Sequence, residues 1–130
     1  MTRHGEINWT ELITADPQQA MDFYGATLGW TFEGETMPDG HTYWIILSDG
    51  RPVGGVMHLE ASYAPADGDR WMTYIHVDDL DAAVDAARRK GATIMRPPWA
   101  VPGVGTVCIL RQPGGAMVGW VTPVERPMPA

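Results

Sequence analysis

The sequence predicts an α+β fold built from two βαβββ modules with a cleft between them. Two observations lead there. The second half of the 130-residue chain repeats the plan of the first, with helix-opening aspartates Asp16 and Asp79 set 63 residues apart. Each aspartate also follows a strand-like run, Ile7 to Ile13 and then Trp71 to Val77, and precedes further strand-like runs split by Gly and Pro turns. A unit repeated in this way buries its sheet against its copy and leaves a cleft where function is to be sought.

The elements follow in order. Asp16 is an N-cap, Pro17 suits the first helical position, and Gln19 completes a capping-box pattern. Ala20, Phe23, Tyr24, Thr27 and Leu28 recur on one helical face, and Gly29 is a left-handed stop. Strands are expected over Thr31 to Thr36, His41 to Leu47 and Pro52 to Leu59, separated by the Met37–Gly40 and Ser48–Gly50 turns. The second helix starts at the Asp79 cap, places Leu80, Ala83, Val84 and Ala87 on one face, and stops at Gly91. A short strand over Thr93 to Arg96 leads into a Pro-rich loop, Pro97 to Gly103. Strands over Val104 to Arg111 and Ala116 to Thr122 complete the module. Thr42–Ile46 answers Thr106–Leu110, and the Gly54–His58 run is matched to Gly115–Gly119. The modules occupy 1–60 and 71–124, joined by a linker over 61–70 and followed by a frayed tail over 125–130.

Composition narrows the function classes. Nine basic against sixteen acidic side chains give a net charge of −7, which argues against nucleic acid and other polyanions. A hydrophobic fraction of 45% with 19% charged residues is that of a globular chain. The single cysteine, Cys108, permits no intrachain disulfide and reads as a buried, inert thiol. No apolar run reaches the ~20 residues of a membrane span, and the first residues have no signal core. These features imply a soluble cytoplasmic protein.

Asp16-x-x-x-Ala20-x-x-Phe23-Tyr24-x-x-x-Leu28-Gly29-Trp30, with Val77-Asp78-Asp79 and Pro113-Gly114-Gly115 in the second half, resembles the vicinal oxygen chelate superfamily. That group includes glyoxalase I, extradiol dioxygenases and bleomycin-resistance proteins. The resemblance covers Ile7 to Val124 and implies two βαβββ modules around a cavity. In the metal enzymes of the superfamily the first and last strands of each module supply the ligands of one divalent ion. Here those positions fall at Trp9, His58, Met72 and Gly119. Only His58 suits such an ion, because indole does not ligate, glycine has no side chain and a thioether prefers soft metals. The resemblance therefore implies the cavity without the metal, and no cofactor is expected.

Alternation places Ile7, Trp9, Glu11 and Ile13 on the cavity face of the first strand, and Met72, Tyr74 and His76 on that of its repeat. Val56 and His58 are assigned to the same lining, with Trp99 reaching it from the Pro-rich loop as a lid. The ligand-binding set is thus Trp9, Glu11, Val56, His58, Met72, Tyr74 and Trp99. This lining, aromatic and sulfur-rich with few polar groups, suits a small, partly aromatic or apolar molecule. Glu11, Tyr74 and His58 are the catalytic candidates. Three functions are compatible: metal-independent binding, a glyoxalase-type lyase or isomerase using Glu11 and Tyr74, and a metal-dependent glyoxalase- or dioxygenase-like enzyme with its ligands elsewhere. A homodimer is expected from the habit of relatives of this length.

Overall fold

The computed structural model describes residues 2–59, 68–101 and 103–124. The expected 61–70 linker, apart from Gly68 to Arg70, and the 125–130 tail lie outside them. The fold is α+β, with elements in the order β1 (Ile7–Thr14), α1 (Pro17–Leu28), β2 (Thr31–Thr36), β3 (Thr42–Ser48), β4 (Arg51–His58), β5 (Arg70–His76), α2 (Leu80–Arg89), β6 (Thr93–Val101), β7 (Gly105–Arg111) and β8 (Met117–Pro123). Two compact units divide the chain. The first is Trp9–Met72; the second joins the first eight residues to Thr73 and everything after it.

In the first unit the strands run β2-β3-β4-β1, with β1 and β4 parallel and the others antiparallel. Asp16 caps α1 by accepting from the Gln19 amide at 3.0 Å, and Gly29 ends the helix at φ 72°. An Asp49-Gly50 pair, both at positive φ, turns β3 into β4, the hairpin chemistry that aspartate and glycine supply at least cost. Leu12, Met21, Ile46 and Val56 form the core between α1 and one face of the sheet, flanked by Tyr24, Trp30, Phe32 and Trp44.

The buried stripe of α1 differs from the expected one. Met21 is the buried residue of the helix, while Phe23 and Leu28 are 58% and 57% exposed. Apolar residues are spread around α1 and Asp22 is its one charge, so periodicity marks no unique face. Tyr24 and Trp30 carry the packing instead. Their rings stack at 5.0 Å, and the Trp71 ring meets both edge-on.

The second unit repeats this plan with strand order β5-β8-β7-β6 and β5 parallel to β8. Asp79 caps α2 by accepting from the Ala82 amide at 3.1 Å. Leu80, Val84 and Ala87 form the expected face and pack on Cys108 and Leu110. The Pro-rich segment is not a loop. β6 continues through Pro97, Pro98 and Trp99 to Val101, and Trp99 pairs with Val107. Two features allow this. β6 is the last strand of its sheet, where a missing N–H is tolerated, and the register shifts around Arg96–Trp99 absorb the proline pair.

Candidate functional site

The strand register within each unit fixes which residues share a face. Glu11 lies opposite Gly55 across β1 and β4, and Tyr74 lies opposite Gly119 across β5 and β8. Trp44 pairs with Val56, and Cys108 with Trp120. Gly55 is therefore the counterpart of Gly119, and Val56 of Trp120. The expected match of His58 to Gly119 is wrong by three residues. An odd slip moves a residue to the opposite side of the pleat. Val56 belongs to the helix-side core, and His58, two residues along the same strand, shares that side. Neither stands on the Glu11 face.

On that face, Trp9 and Glu11 are joined by a residue that sequence reasoning passed over. Tyr43 reaches from β3 across β4 to β1. Trp9 Nε1–H donates to Tyr43 Oη at 2.9 Å, and Tyr43 O–H donates to Glu11 Oε2 at 2.9 Å. Glu11 is 4% exposed. The crossing spans two strand spacings, roughly 9–10 Å, and is open only because Gly55 lies beneath it. A Cβ at Gly55 would overlap the Tyr43 hydroxyl and ring. The sequence signal was present in the alternation of Tyr43 with Ile45 and in a glycine pair on the next strand, where a large ring can lie across the backbone.

Burial pushes the Tyr43 hydroxyl far above the ordinary phenol range, and the neighbouring Glu11 charge adds to the rise. Tyr43 is therefore a proton-bearing donor throughout the working pH range. Burial likewise raises the Cys108 thiol to about 11, and the residue is fully buried, as an inert structural cysteine would be.

The other predicted residues are placed as follows. Met72 is buried, at 2% exposure. The Tyr74 ring lies over Gly119, occupying the space a side chain there would need. Trp99 stands in β6 with the Arg96 guanidinium 3.7 Å above its ring, a cation–π contact. His76 engages both ring nitrogens, Nδ1 with Thr2 Oγ1 at 3.0 Å and Nε2 with Asp78 Oδ1 at 3.1 Å. A separate open groove of about 490 Å³ runs beside α1, lined by Met21, Gly25, Trp30, Phe32 and Trp44 among others.

The donor set does not fit the divalent ion of the metal enzymes. At the implied positions stand an indole whose N–H is given to Tyr43, a buried thioether and a glycine covered by a ring. The one imidazole, His58, faces the other side of its strand. Among the described residues no three His, Cys, Asp or Glu side chains are grouped to hold a metal.

Comparison with known proteins agrees with the architecture. The chain belongs to the glyoxalase/bleomycin resistance protein/dioxygenase superfamily, whose family model matches residues 6–119. A glyoxylase-like domain-containing protein of Didymella fabae is 32% identical over 95 residues, covering 70% of this chain and 72% of that protein. CFP32 of Mycobacterium tuberculosis is 31% identical over 118 residues, covering 90% of this chain and 45% of that protein. The anthracycline biosynthesis protein DauV of Streptomyces is 32% identical over 112 residues, covering 86% and 39%. The chain thus spans less than half the length of CFP32 and DauV. Among solved structures, BH1468 of Bacillus halodurans superposes with a TM-score of 0.71 at 12% identity, covering 98% of this chain and 100% of that one. Methylmalonyl-CoA epimerase of M. tuberculosis gives 0.65 at 19%, covering 93% and 89%. At these identities the likeness is one of fold. No described helix is long and apolar enough to cross a membrane.

Proposed function

We propose that this protein binds a small, partly aromatic or apolar molecule on the Glu11 face of its first unit without a metal. The observation that carries the reading is the Trp9–Tyr43–Glu11 hydrogen-bond chain, half-buried along its length and ending on the buried Glu11. The chain fixes a few polar groups on one strand face, and apolar walls with a few fixed polar groups are the usual form of a ligand site. Metal independence rests on the poor fit of the donor set. The protein acts in the cytoplasm as a homodimer, with no nucleic-acid partner. Titration with phenethyl alcohol tests the reading. Tryptophan fluorescence should be quenched saturably, and Trp9→Ala should weaken the response. Unchanged emission across small aromatic ligands would refute it.

The burial of Glu11 favours one second reading, a lyase or isomerase of glyoxalase type in which Glu11 is the general base. Its mark would be exchange of a carbon-bound proton of a carbonyl compound into heavy water. That exchange should be lost in Glu11→Gln, and absence of exchange across a panel of α-hydroxy and α-keto compounds would exclude it.

A further inference from the structure

We infer that the groove beside α1 is a second ligand site, one that takes a small aromatic ammonium, with Asp22 as its charge partner and Gly25 as the residue that keeps it open. The groove lies on the other side of the sheet from Glu11. Tyr43 and Trp44 are successive residues of β3 and point to opposite sides of the pleat, Tyr43 toward Glu11 and Trp44 into the groove.

The walls are fixed by the core beneath them. Met21 belongs to the helix-side core, and Trp30, Phe32 and Trp44 pack against that core while each stays partly exposed. The Trp30 ring is held further by its stack on Tyr24. Three aromatic rings and a thioether therefore line the groove in fixed positions. Its volume of about 490 Å³ falls within the ~300–1,000 Å³ of small-molecule pockets.

Two residues of α1 point to the ligand. Gly25 stands inside the helix, where glycine is among the poorest choices. The backbone does not call for it, because its φ is not positive. The packing does not call for it either. An added Cβ would have the Trp30 carbonyl oxygen at 3.6 Å as its nearest contact outside the helix, an ordinary van der Waals distance. What the missing side chain does is leave space in the groove. Asp22, three residues earlier on the same side of the helix, is the one charge of α1 and the one charged side chain among the described lining residues. Gln18 donates its amide N–H to Asp22 Oδ1 at 2.8 Å and so steadies the carboxylate at the exposed rim. Aromatic faces attract a cation, and the carboxylate pairs with it. An anion meets like charge instead, the arrangement by which sites exclude wrong partners.

Three probes share a phenyl ring and a short linker and differ at the terminal group: phenethylamine, cationic near neutral pH, phenethyl alcohol and the anion hydrocinnamate. Heteronuclear NMR of the isotope-labelled chain reads the indole N–H signals of Trp30 and Trp44 for the groove and that of Trp9 for the Glu11 face. The amine should shift the groove signals saturably and bind at least about fivefold more tightly than the alcohol, with the acid weaker still. In Asp22→Asn the ratio of amine to alcohol affinity should fall to within about twofold, whereas a purely structural role would weaken both probes alike and keep the ratio. Gly25→Leu should remove the groove shifts of all three probes. Should that variant fail to fold, Gly25→Ala, for which the structure has room, should already weaken them. An amine no tighter than the alcohol, or a ratio unmoved by Asp22→Asn, would overturn the inference. Shifts confined to Trp9 would also overturn it and leave ligand binding at the Glu11 face standing. Shifts at Trp30 and Trp44 with none at Trp9 would support the groove and count against the Glu11 face.

Discussion

Gly55→Ala is the substitution whose outcome the geometry fixes most firmly. An added methyl at this position would overlap the Tyr43 hydroxyl and ring carbons, so the phenol must leave its place between Trp9 and Glu11. Two hydrogen bonds are lost with it, at about 1 kcal/mol each and more if Glu11 is ionised. Forcing the methyl into a packed face costs about 1–3 kcal/mol. Against this stands the gain of about 0.5–1 kcal/mol that alanine normally brings to a strand or helix in place of glycine. The net expectation is a loss of roughly 3 kcal/mol. Urea denaturation monitored by circular dichroism should show it as a lower midpoint with an unchanged slope. The clash gives the test its specificity. In a Tyr43→Ala background there is no ring to strike, so the added Gly55→Ala should cost little. A Gly55→Ala variant within about 0.5 kcal/mol of wild type, or costs that simply add in the double variant, would refute the crossing geometry.

Three further outcomes follow. Tyr43 should stay protonated through alkaline titration, so Tyr43→Phe should leave the amplitude of tyrosinate absorbance unchanged until the protein unfolds; a smaller amplitude in the variant would contradict the buried donor. Cys108 binds its proton more tightly when folded, its pKa rising from 9.0 to about 11, so it contributes stability that is present below pH 9 and lost as pH climbs toward 11. Cys108→Ala should flatten that alkaline decline, and an unchanged pH profile would argue against it. Light scattering at tens of micromolar should give twice the 14.3 kDa chain mass, and a mass near 14.3 kDa would refute the homodimer.

The fold was largely legible because its signals are local. Asp16, Asp79, Gly29 and the Asp49-Gly50 turn act through their own backbone neighbourhood, and each stands where its chemistry predicts. Trp9 and Glu11 were legible for a similar reason, since alternation along one strand needs no knowledge of the others. What was not legible depends on relations between strands. Matching Gly54–His58 to Gly115–Gly119 by composition gave an odd slip and turned Val56 and His58 to the wrong face, because register is set by hydrogen-bond pairing across β1 and β4. Tyr43 was missed because its partners are 34 and 32 residues away in sequence. Trp99 was assigned to a loop because two prolines break most strands, and the position of β6 at the end of its sheet, with the register shifts around Arg96–Trp99, removes that objection. The exposed Phe23 and Leu28 mark the same limit for α1, where apolar residues alone did not say which side the sheet would cover.

In the function we propose, ligand binding depends on the Trp9–Tyr43–Glu11 chain and not on a metal. Phenethyl alcohol affinity measured by calorimetry, before and after exhaustive dialysis against EDTA, tests it directly. The affinity should be the same in both samples and markedly lower in Glu11→Gln. Binding that vanishes on chelation, returns with nickel, zinc, iron or manganese, and survives Glu11→Gln would contradict it.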